Sequence, residues 1–432
     1  MNAITAPGTL TPPSHDSAAI DLAGSGIVIF AQFEALAALS EDGPKLTRIF
    51  LSPEHRQAND RMMGWMRAAG MTARVDAIGN VVGRYEGDHP GAPVLLLGSH
   101  LDTVRDAGKY DGMLGVVSAI ACVAALNRAR KRLSFAIEVI GFGDEEGVRF
   151  GTTMLGSRAV AGSFTDDLLE RTDHTGKTLA DGLIAFGLDP QTIGDAARSR
   201  NDILAYLELH IEQGPVLETK GAPVGCVTSI AGASRFEVDI SGRAGHAGTV
   251  PMSARNDALA AAAECIIAIE RRCASEPGLV GTVGQLTVAP GAINVIPRHV
   301  RFTIDIRAPD DAQRLRAIRD LESEISFIRA TRKVGIDIRL IHELKATPCA
   351  PWLMKQIGDA ITAEGLPRID LPSGAGHDGM AMIDVADIGM IFVRCAGGVS
   401  HSPAESITID DAEVGARVLM NVIRNFTPGK TP

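Results

Sequence analysis

Val94-Leu95-Leu96-Leu97-Gly98-Ser99-His100-Leu101-Asp102-Thr103 decides the reading of this chain. Its first half is a continuous apolar run, the pattern of a strand buried on both faces of a parallel sheet. Its second half sets a histidine and a carboxylate just past the strand's carboxyl end, where open α/β sheets hold their ligands. Lys109-Tyr110-Asp111-Gly112 follows and brings a second acid to the same rim. A histidine and acids gathered there can hold a divalent metal. Taken singly, His100 is equally a structural hydrogen-bonding group, and Asp111-Gly112 a tight turn.

Working outward, helices and strands alternate from about residue 28 to 215. Residues 61–69 read as the end of a helix. Residues 115–129 are apolar nearly all round, so they predict a helix packed on the sheet. Residues 135–142 read as a second buried strand, ending in Gly143-Asp144-Glu145-Glu146-Gly147. This alternation predicts an α/β fold, a mostly parallel sheet with helices on both faces. Between about 220 and 345 the rhythm changes. It runs through a strand at 235–240, a helix at 253–273 with Ser253 or Asn256 as cap, strands at 281–288 and 300–307, a charged amphipathic helix at 310–332 and a strand at 336–344. That βαββαβ order is ferredoxin-like. Residues 352–432 return to helix and strand material that the first segment needs to complete its sheet. The expectation is therefore one domain formed by 1–219 and 346–432, a second inserted at 220–345, and a loose Pro-, Ser- and Thr-rich tail at 1–17.

A chain of 432 residues is long enough for two cores. With 42 basic against 52 acidic residues, its charge of -10 leaves no electrostatic footprint for nucleic acid or an anionic membrane. No apolar stretch approaches the length of a membrane span. A small-molecule partner is the reading that remains. The six cysteines are scattered without a Cys-x-x-Cys pair, which argues for a reducing, cytoplasmic setting and against a disulfide framework or a thiolate zinc site.

The acidic run Asp144-Glu145-Glu146 would ordinarily be a solvated loop, but it directly follows a buried strand and so shares the rim with His100. In Tyr206-Leu207-Glu208-Leu209-His210-Ile211-Glu212, period-two alternation sends Leu207, Leu209 and Ile211 to one face and Glu208, His210 and Glu212 to the other. His401 lies in Gly397-Gly398-Val399-Ser400-His401-Ser402-Pro403, which periodicity does not assign. Together His100, Asp111, Glu146, His210 and His401 make a nitrogen and oxygen donor set without sulfur, suited to Zn, Mn, Co or Ni. They are more protein ligands than one catalytic ion needs, and two divalent ions sharing a bridging carboxylate is the economical arrangement. Glu145, left over beside a ligand, is placed to serve as general base toward an attacking water. Asp102 is the carboxylate that a metal-bound imidazole usually engages.

Several motifs in order then carry a resemblance: GSHLDTV (98–104), YDGMLG (110–115), DEEGVRFG (144–151), LHIEQGPVLE (209–218), GRAGHAGTVPM (242–252), NVIP (294–297), DIR (305–307), SGAGHDGM (373–380) and SHSPAE (400–405). Over about residues 28–425 the chain resembles the hydantoinase/carbamoylase family of amidohydrolases, within the aminoacylase-like dimetal peptidase superfamily. That family includes N-carbamoyl-L-amino acid hydrolases, allantoate amidohydrolases and β-ureidopropionases. The resemblance implies Asp111 as the bridge, His100 and His401 on opposite ions, Glu146 and His210 as the other terminal ligands, Glu145 as general base and Asp102 orienting His100. It implies that the inserted domain is lid and homodimer contact, bringing His246 of the partner subunit together with Asn294 and Arg307 to the substrate. Arg307 would clamp a carboxylate, and Gln213 and the Gly374-Ala375 backbone would be further contacts. His377 and Asp378 would support the site. The activity implied is cleavage of the ureido C–N bond of an N-carbamoyl-L-amino acid, with allantoate the close alternative. Ser402 and Gly379 depart from the asparagine and alanine common in the family, and neither removes a ligand or the base.

Overall fold

The computed structural model describes residues 20–429, and the expected tail at 1–17 lies outside them. The first segment runs through helices Ser25–Ala37 (α1) and Pro53–Ala68 (α2), strands Thr72–Val75 (β1), Val81–Tyr85 (β2) and Val94–His100 (β3), helix Met113–Arg128 (α3) and strand Ala136–Phe142 (β4). Short helices Leu155–Val160 (α4) and Leu179–Ala185 (α5) follow, then strand Ile203–Ile211 (β5), the one-turn helix Val216–Thr219 (α6) and strand Val224–Ile230 (β6). Every residue of β3 and β4 is buried, as their unbroken apolar runs require. α2 starts where the Ser52 side chain accepts from His55 N and Pro53 occupies the first turn, where no donor is missed.

The inserted unit contains Gly232–Ser241 (β7), the short Gly245–His246 (β8), Ala258–Ala274 (α7), Val280–Thr282 (β9), Leu286–Ala289 (β10), Val295–Ile296 (β11), His299–Ala308 (β12), Asp311–Arg332 (α8) and Gly335–Leu344 (β13). Its sheet has the order β10-β12-β7-β13 with β9 also on β12, every pairing antiparallel. Val300, Phe302, Ile304 and Ile306 face α7 and α8 in one apolar core, as their alternation predicts. Details differ from the sequence reading. α7 is capped by neither Ser253 nor Asn256: the Asp257 side chain accepts from Leu259 N and Ala260 N, while Asn256 Nδ2 donates to Lys333 O. The strand expected at 281–288 is split, because Thr282 pairs with Asp305 but Leu286 with Phe302, so β9–β10 holds one residue more than β12 opposite it, a bulge. β6, on the lid side of the expected boundary at 220, pairs instead within the large sheet.

The chain then returns through Thr347–Pro348 (β14), Pro351–Ala363 (α9), Asp370–Ser373 (β15), Gly379–Met382 (α10), Ile388–Val393 (β16) and Ile409–Asn425 (α11). β16 completes the large sheet, whose order is β1-β2-β4-β3-β5-β16-β6-β14 with β15 on β6. Only the centre, β4-β3-β5-β16, is continuously parallel; β1, β2 and β14 run antiparallel to their neighbours, and β6 antiparallel to β16. α1, α2, α3, α9 and α11 cover one face, and α4 and α10 the other. The parallel centre is what matters for chemistry, since its strands end together on one rim.

Candidate metal centre

His100 is the last residue of β3, His210 lies near the end of β5, Glu146 follows β4, Asp111 precedes α3, and His401 comes from the loop after β16. All five sequence-predicted ligands thus converge at the carboxyl ends of the parallel centre. Asp111 Oδ1 lies 3.4 Å from His100 Nε2 and 3.1 Å from His210 Nε2. Asp111 Oδ2 lies 3.3 Å from His401 Nε2, which is 3.5 Å from Glu146 Oε1. Two donor groups result, His100-Asp111-His210 and Asp111-Glu146-His401, sharing one carboxylate with an oxygen turned to each.

These separations test the fit to a metal. Ligands on a tetrahedral ion at bond lengths of about 2.0–2.1 Å stand about 3.3 Å from one another. His210 Nε2 is buried and has no aligned hydrogen-bond partner, although Asp111 Oδ1 is 3.1 Å away. Two acceptor atoms brought this close without alignment are arranged as ligands of one cation. The imidazoles are also set in the right tautomer: His100 Nδ1 donates to Asp102 O at 3.0 Å and His210 Nδ1 to Ile211 O at 2.9 Å, leaving each Nε2 lone pair toward the cluster. The residues therefore fit a pair of divalent ions.

Asp102 departs from its expected role. Its backbone carbonyl orients His100, whereas its carboxylate is 3.7 Å from that ring and instead accepts from Glu145 N at 3.1 Å and Glu146 N at 3.2 Å. It therefore fixes the acidic loop as much as the histidine. Gly112 leaves room for the ring: a Cβ there would lie 2.6 Å from His100 Cε1 and Nδ1. Asp144, Gln213 and His401, all on the rim, hold positive φ of 63°, 56° and 54°.

Electrostatically, burial opposes protonation of His100, yet the Asp111, Glu145 and Asp102 carboxylates raise it well above the ordinary histidine range. Asp111 is held well below the carboxylate range despite burial, because His100, His210 and His401 all face it. Burial lifts Glu146 to about 7 and pushes Glu145 well above its usual value, with His100 opposing and Glu146 adding to the rise. Glu145 shares a donor cluster with His100 and Glu146 and lies against the Gly376 loop.

Two supports escaped sequence reasoning. Glu405 Oε1 accepts from Tyr110 N at 2.9 Å and Asp111 N at 3.1 Å, and its Oε2 is 2.8 Å from Ser400 Oγ, tying the His401 loop to the Asp111 turn. Glu208, fully buried under His210, accepts from Ser99 Oγ, Tyr206 Oη and Gly379 N. The available signal was their place in the SHSPAE motif and on the His210 face of β5.

The expected substrate contacts are less uniformly gathered. Gln213 Nε2 donates to Asp111 Oδ2 at 2.8 Å and to Ser400 Oγ at 3.0 Å, so it braces the bridge. Arg307 Nη1 donates to Gly374 O at 2.9 Å, joining the sheet of the inserted unit to the loop after β15. Its Nε and Nη2 are taken by Asp305, so the edge available to a clamp is the outer one. Ala375 N is occupied by Ser373 Oγ, and Ser373 Oγ is 2.7 Å from His377 Nε2, whose ring packs edge-on against His210. His246 and Asn294 adjoin each other on the β8–β11 ribbon; His246 is exposed, bonds Gly248 N and belongs to neither donor group.

The profile of the family described as Peptidase family M20/M25/M40 matches residues 96–425. An N-carbamoyl-L-amino acid amidohydrolase of Geobacillus stearothermophilus is 43% identical over 385 residues, covering 89% of this chain and 94% of that protein. A probable allantoate deiminase of Oryza sativa is 41% identical over 426 residues, covering 91% of this chain and 87% of that protein. An amidase of the hydantoinase/carbamoylase family from Burkholderia multivorans superposes with a TM-score of 0.87 at 32% identity, over 94% of this chain and 98% of that one.

Proposed function

The chain belongs to the Peptidase family M20/M25/M40, and from that premise we propose that it is a metal-dependent amidohydrolase of N-carbamoyl-L-amino acids. The observation that carries the reading is one carboxylate, Asp111, turning an oxygen to each of two donor groups with Glu145 beside them. When bound, two divalent ions supply Lewis acidity to the attacking water and to the substrate carbonyl. Glu145, whose buried setting favours the proton, takes one from the water and returns it to the leaving nitrogen. The ureido acid and water then give the amino acid and carbamic acid, which falls to carbon dioxide and ammonia. Arg307 holds the substrate carboxylate at the lid edge, and Gln213 keeps Asp111 in register. Asp102 fixes the Glu145 amide and so aims the base. Asn294 and, in a homodimer built through the lid, His246 of the partner subunit stabilise the developing oxyanion. The exposed His246 ring supports that placement, since among the described residues its one hydrogen-bond partner is Gly248 N. Among the described residues no helix is long and apolar enough to cross a membrane. All six cysteines are buried thiols, which supports a reducing cytoplasm as the working compartment.

Allantoate is the second reading, supported by the likeness to the rice protein and by its carboxylate, which Arg307 would meet in the same way. Ammonia release from enzyme loaded with Zn, Mn, Co or Ni, across N-carbamoyl-L-amino acids, allantoate, β-ureidopropionate, N-acetyl amino acids and dipeptides, tests both. The highest kcat/KM is expected on an N-carbamoyl-L-amino acid. Turnover of peptides or N-acetyl acids with none of any ureido acid would reject the proposal.

A further inference from the structure

The lid sheet turns its helix-free face toward the catalytic loop, and a pocket of about 690 Å³ opens there, lined by Arg235, Asp305, Arg307, Gln285, Thr303 and Gly374 among others. The pairing explains why charges cluster in it. Arg235 on β7 is directly opposite Asp305 on β12, and Arg307, two residues on, points to the same side of its strand. Asp305 sits between the cations: its Oδ2 is 3.0 Å from Arg235 Nε and 3.1 Å from Arg307 Nη2, and its Oδ1 is 3.0 Å from Arg307 Nε.

A guanidinium has five N–H donors. Arg307 commits three of them, two to Asp305 and one to Gly374 O. Arg235 commits only Nε, and among the described residues its Nη1 and Nη2 have no hydrogen-bond partner. The outer fork, the edge that matches a carboxylate in a bidentate pair, is therefore more open on Arg235 than on Arg307. Charge agrees: two cations and one acid leave one positive charge, enough for a single carboxylate.

We propose that Arg235 is a second substrate-binding residue, closing with Arg307 on the substrate's carboxylate while Asp305 spaces the two guanidiniums. This rests on the ureido-acid reading above. The test compares wild type, Arg235→Gln and Arg235→Lys on an N-carbamoyl-L-amino acid and on its uncharged carboxamide, with metal content and melting temperature measured alongside. Arg235→Gln is expected to raise KM for the acid by about tenfold or more, the worth of a lost charge-assisted hydrogen bond, with kcat changed far less. Arg235→Lys should recover part of the loss, and on the carboxamide the variants should converge with wild type. An unchanged KM, or an equal loss on acid and carboxamide, overturns the proposal, as does reduced metal content or melting temperature that accounts for the loss. If wild type cleaves N-acetyl acids and no ureido acid, the functional reading fails separately, and the same comparison on an N-acetyl acid and its amide still decides the role of Arg235.

Discussion

Replacing Gly112 by alanine should strip the metal centre without unfolding the protein. Gly112 sits at φ 75°, ψ -52°, immediately after Asp111 and at the cap of α3. An L-residue forced there costs about 1–3 kcal/mol in backbone strain alone. The added Cβ would also stand 2.6 Å from Cε1, Nδ1 and the carbonyl oxygen of His100, against 3.4 Å or more in ordinary contact. His100 is fully enclosed and cannot rotate away cheaply, so ring or turn must retreat by the better part of an ångström. A metal ligand tolerates displacements of about 0.2 Å, and disturbing what positions a ligand lowers metal affinity by roughly 10–100-fold. Gly43→Ala isolates the strain: that glycine is also left-handed, at φ 67°, but nothing lies within 4 Å of its Cβ position. Chelator competition with elemental analysis reads the affinity, and thermal melting of the metal-stripped proteins reads the strain. Both variants should melt below wild type, and only Gly112→Ala should lose metal. Wild-type metal affinity in Gly112→Ala would refute the claim that this glycine exists to admit the His100 ring.

Glu145→Gln should keep both ions by elemental analysis while kcat falls by about 10²–10⁴-fold; normal turnover would remove Glu145 from the role of base. Arg48, fully buried, donates to the carbonyls of Leu101, Leu36 and Leu39, so Arg48→Met should cost about 3 kcal/mol or more in urea unfolding by leaving them unpaired. His55 is buried, accepts from Leu51 N and is pushed down from 6.5 to about 3 chiefly by desolvation, with Arg48 and Arg56 adding to it. Its unfolded form binds the proton first, so the stability it confers is complete above about pH 6.5 and is lost as pH falls toward 3, by up to about 4 kcal/mol. The difference in unfolding midpoint between wild type and His55→Gln should therefore shift with pH across that window, and a pH-independent difference would show that the folded ring takes up the proton.

How far the sequence carried the fold depended on where each pattern's information resides. β3 and β4 were legible because burial on both faces leaves an unbroken apolar run, and β12 because Val300, Phe302, Ile304 and Ile306 mark one covered face. The break between β9 and β10 was not, since a bulge is defined by the register against a partner strand. The cap of α7 was ambiguous because Ser253, Asn256 and Asp257 are all good cap residues, and only the helix axis selects Asp257. β6 illustrates the same limit: nothing in Val224–Ile230 says which of two sheets it joins. At the site, His100, Asp111 and Glu146 could be read from their proximity to strand ends. His401 could be read only through its SHSPAE motif, because its loop has no period and its place depends on Glu405 and Ser400 binding the Asp111 turn. Asp102 shows a different limit: the sequence names the residue but not the atom, and it is the backbone carbonyl, not the carboxylate, that meets His100 Nδ1.

The strained backbone on the rim explains how strand ends become a ligand set. A strand leaving a sheet carries its side chains alternately up and down, so consecutive residues cannot both face a centre above the rim. A left-handed residue breaks that alternation. Asp144 at φ 63° turns the chain directly after β4, and both following residues, Glu145 and Glu146, then reach the cluster. Gln213 at φ 56° does the same after β5, sending its amide back to Asp111, and His401 at φ 54° presents its own ring. None of the three is glycine, so each holds a conformation worth about 1 kcal/mol or more of strain. Local bonds offset it: Met154 N to Asp144 O at 2.6 Å, the Gln213 amide to Asp111, and Ser400 to Glu405. Glycine would relax these turns but would carry no side chain at Gln213 or His401 to bind the bridge. The strain is retained where the side chain at the turn is itself part of the centre.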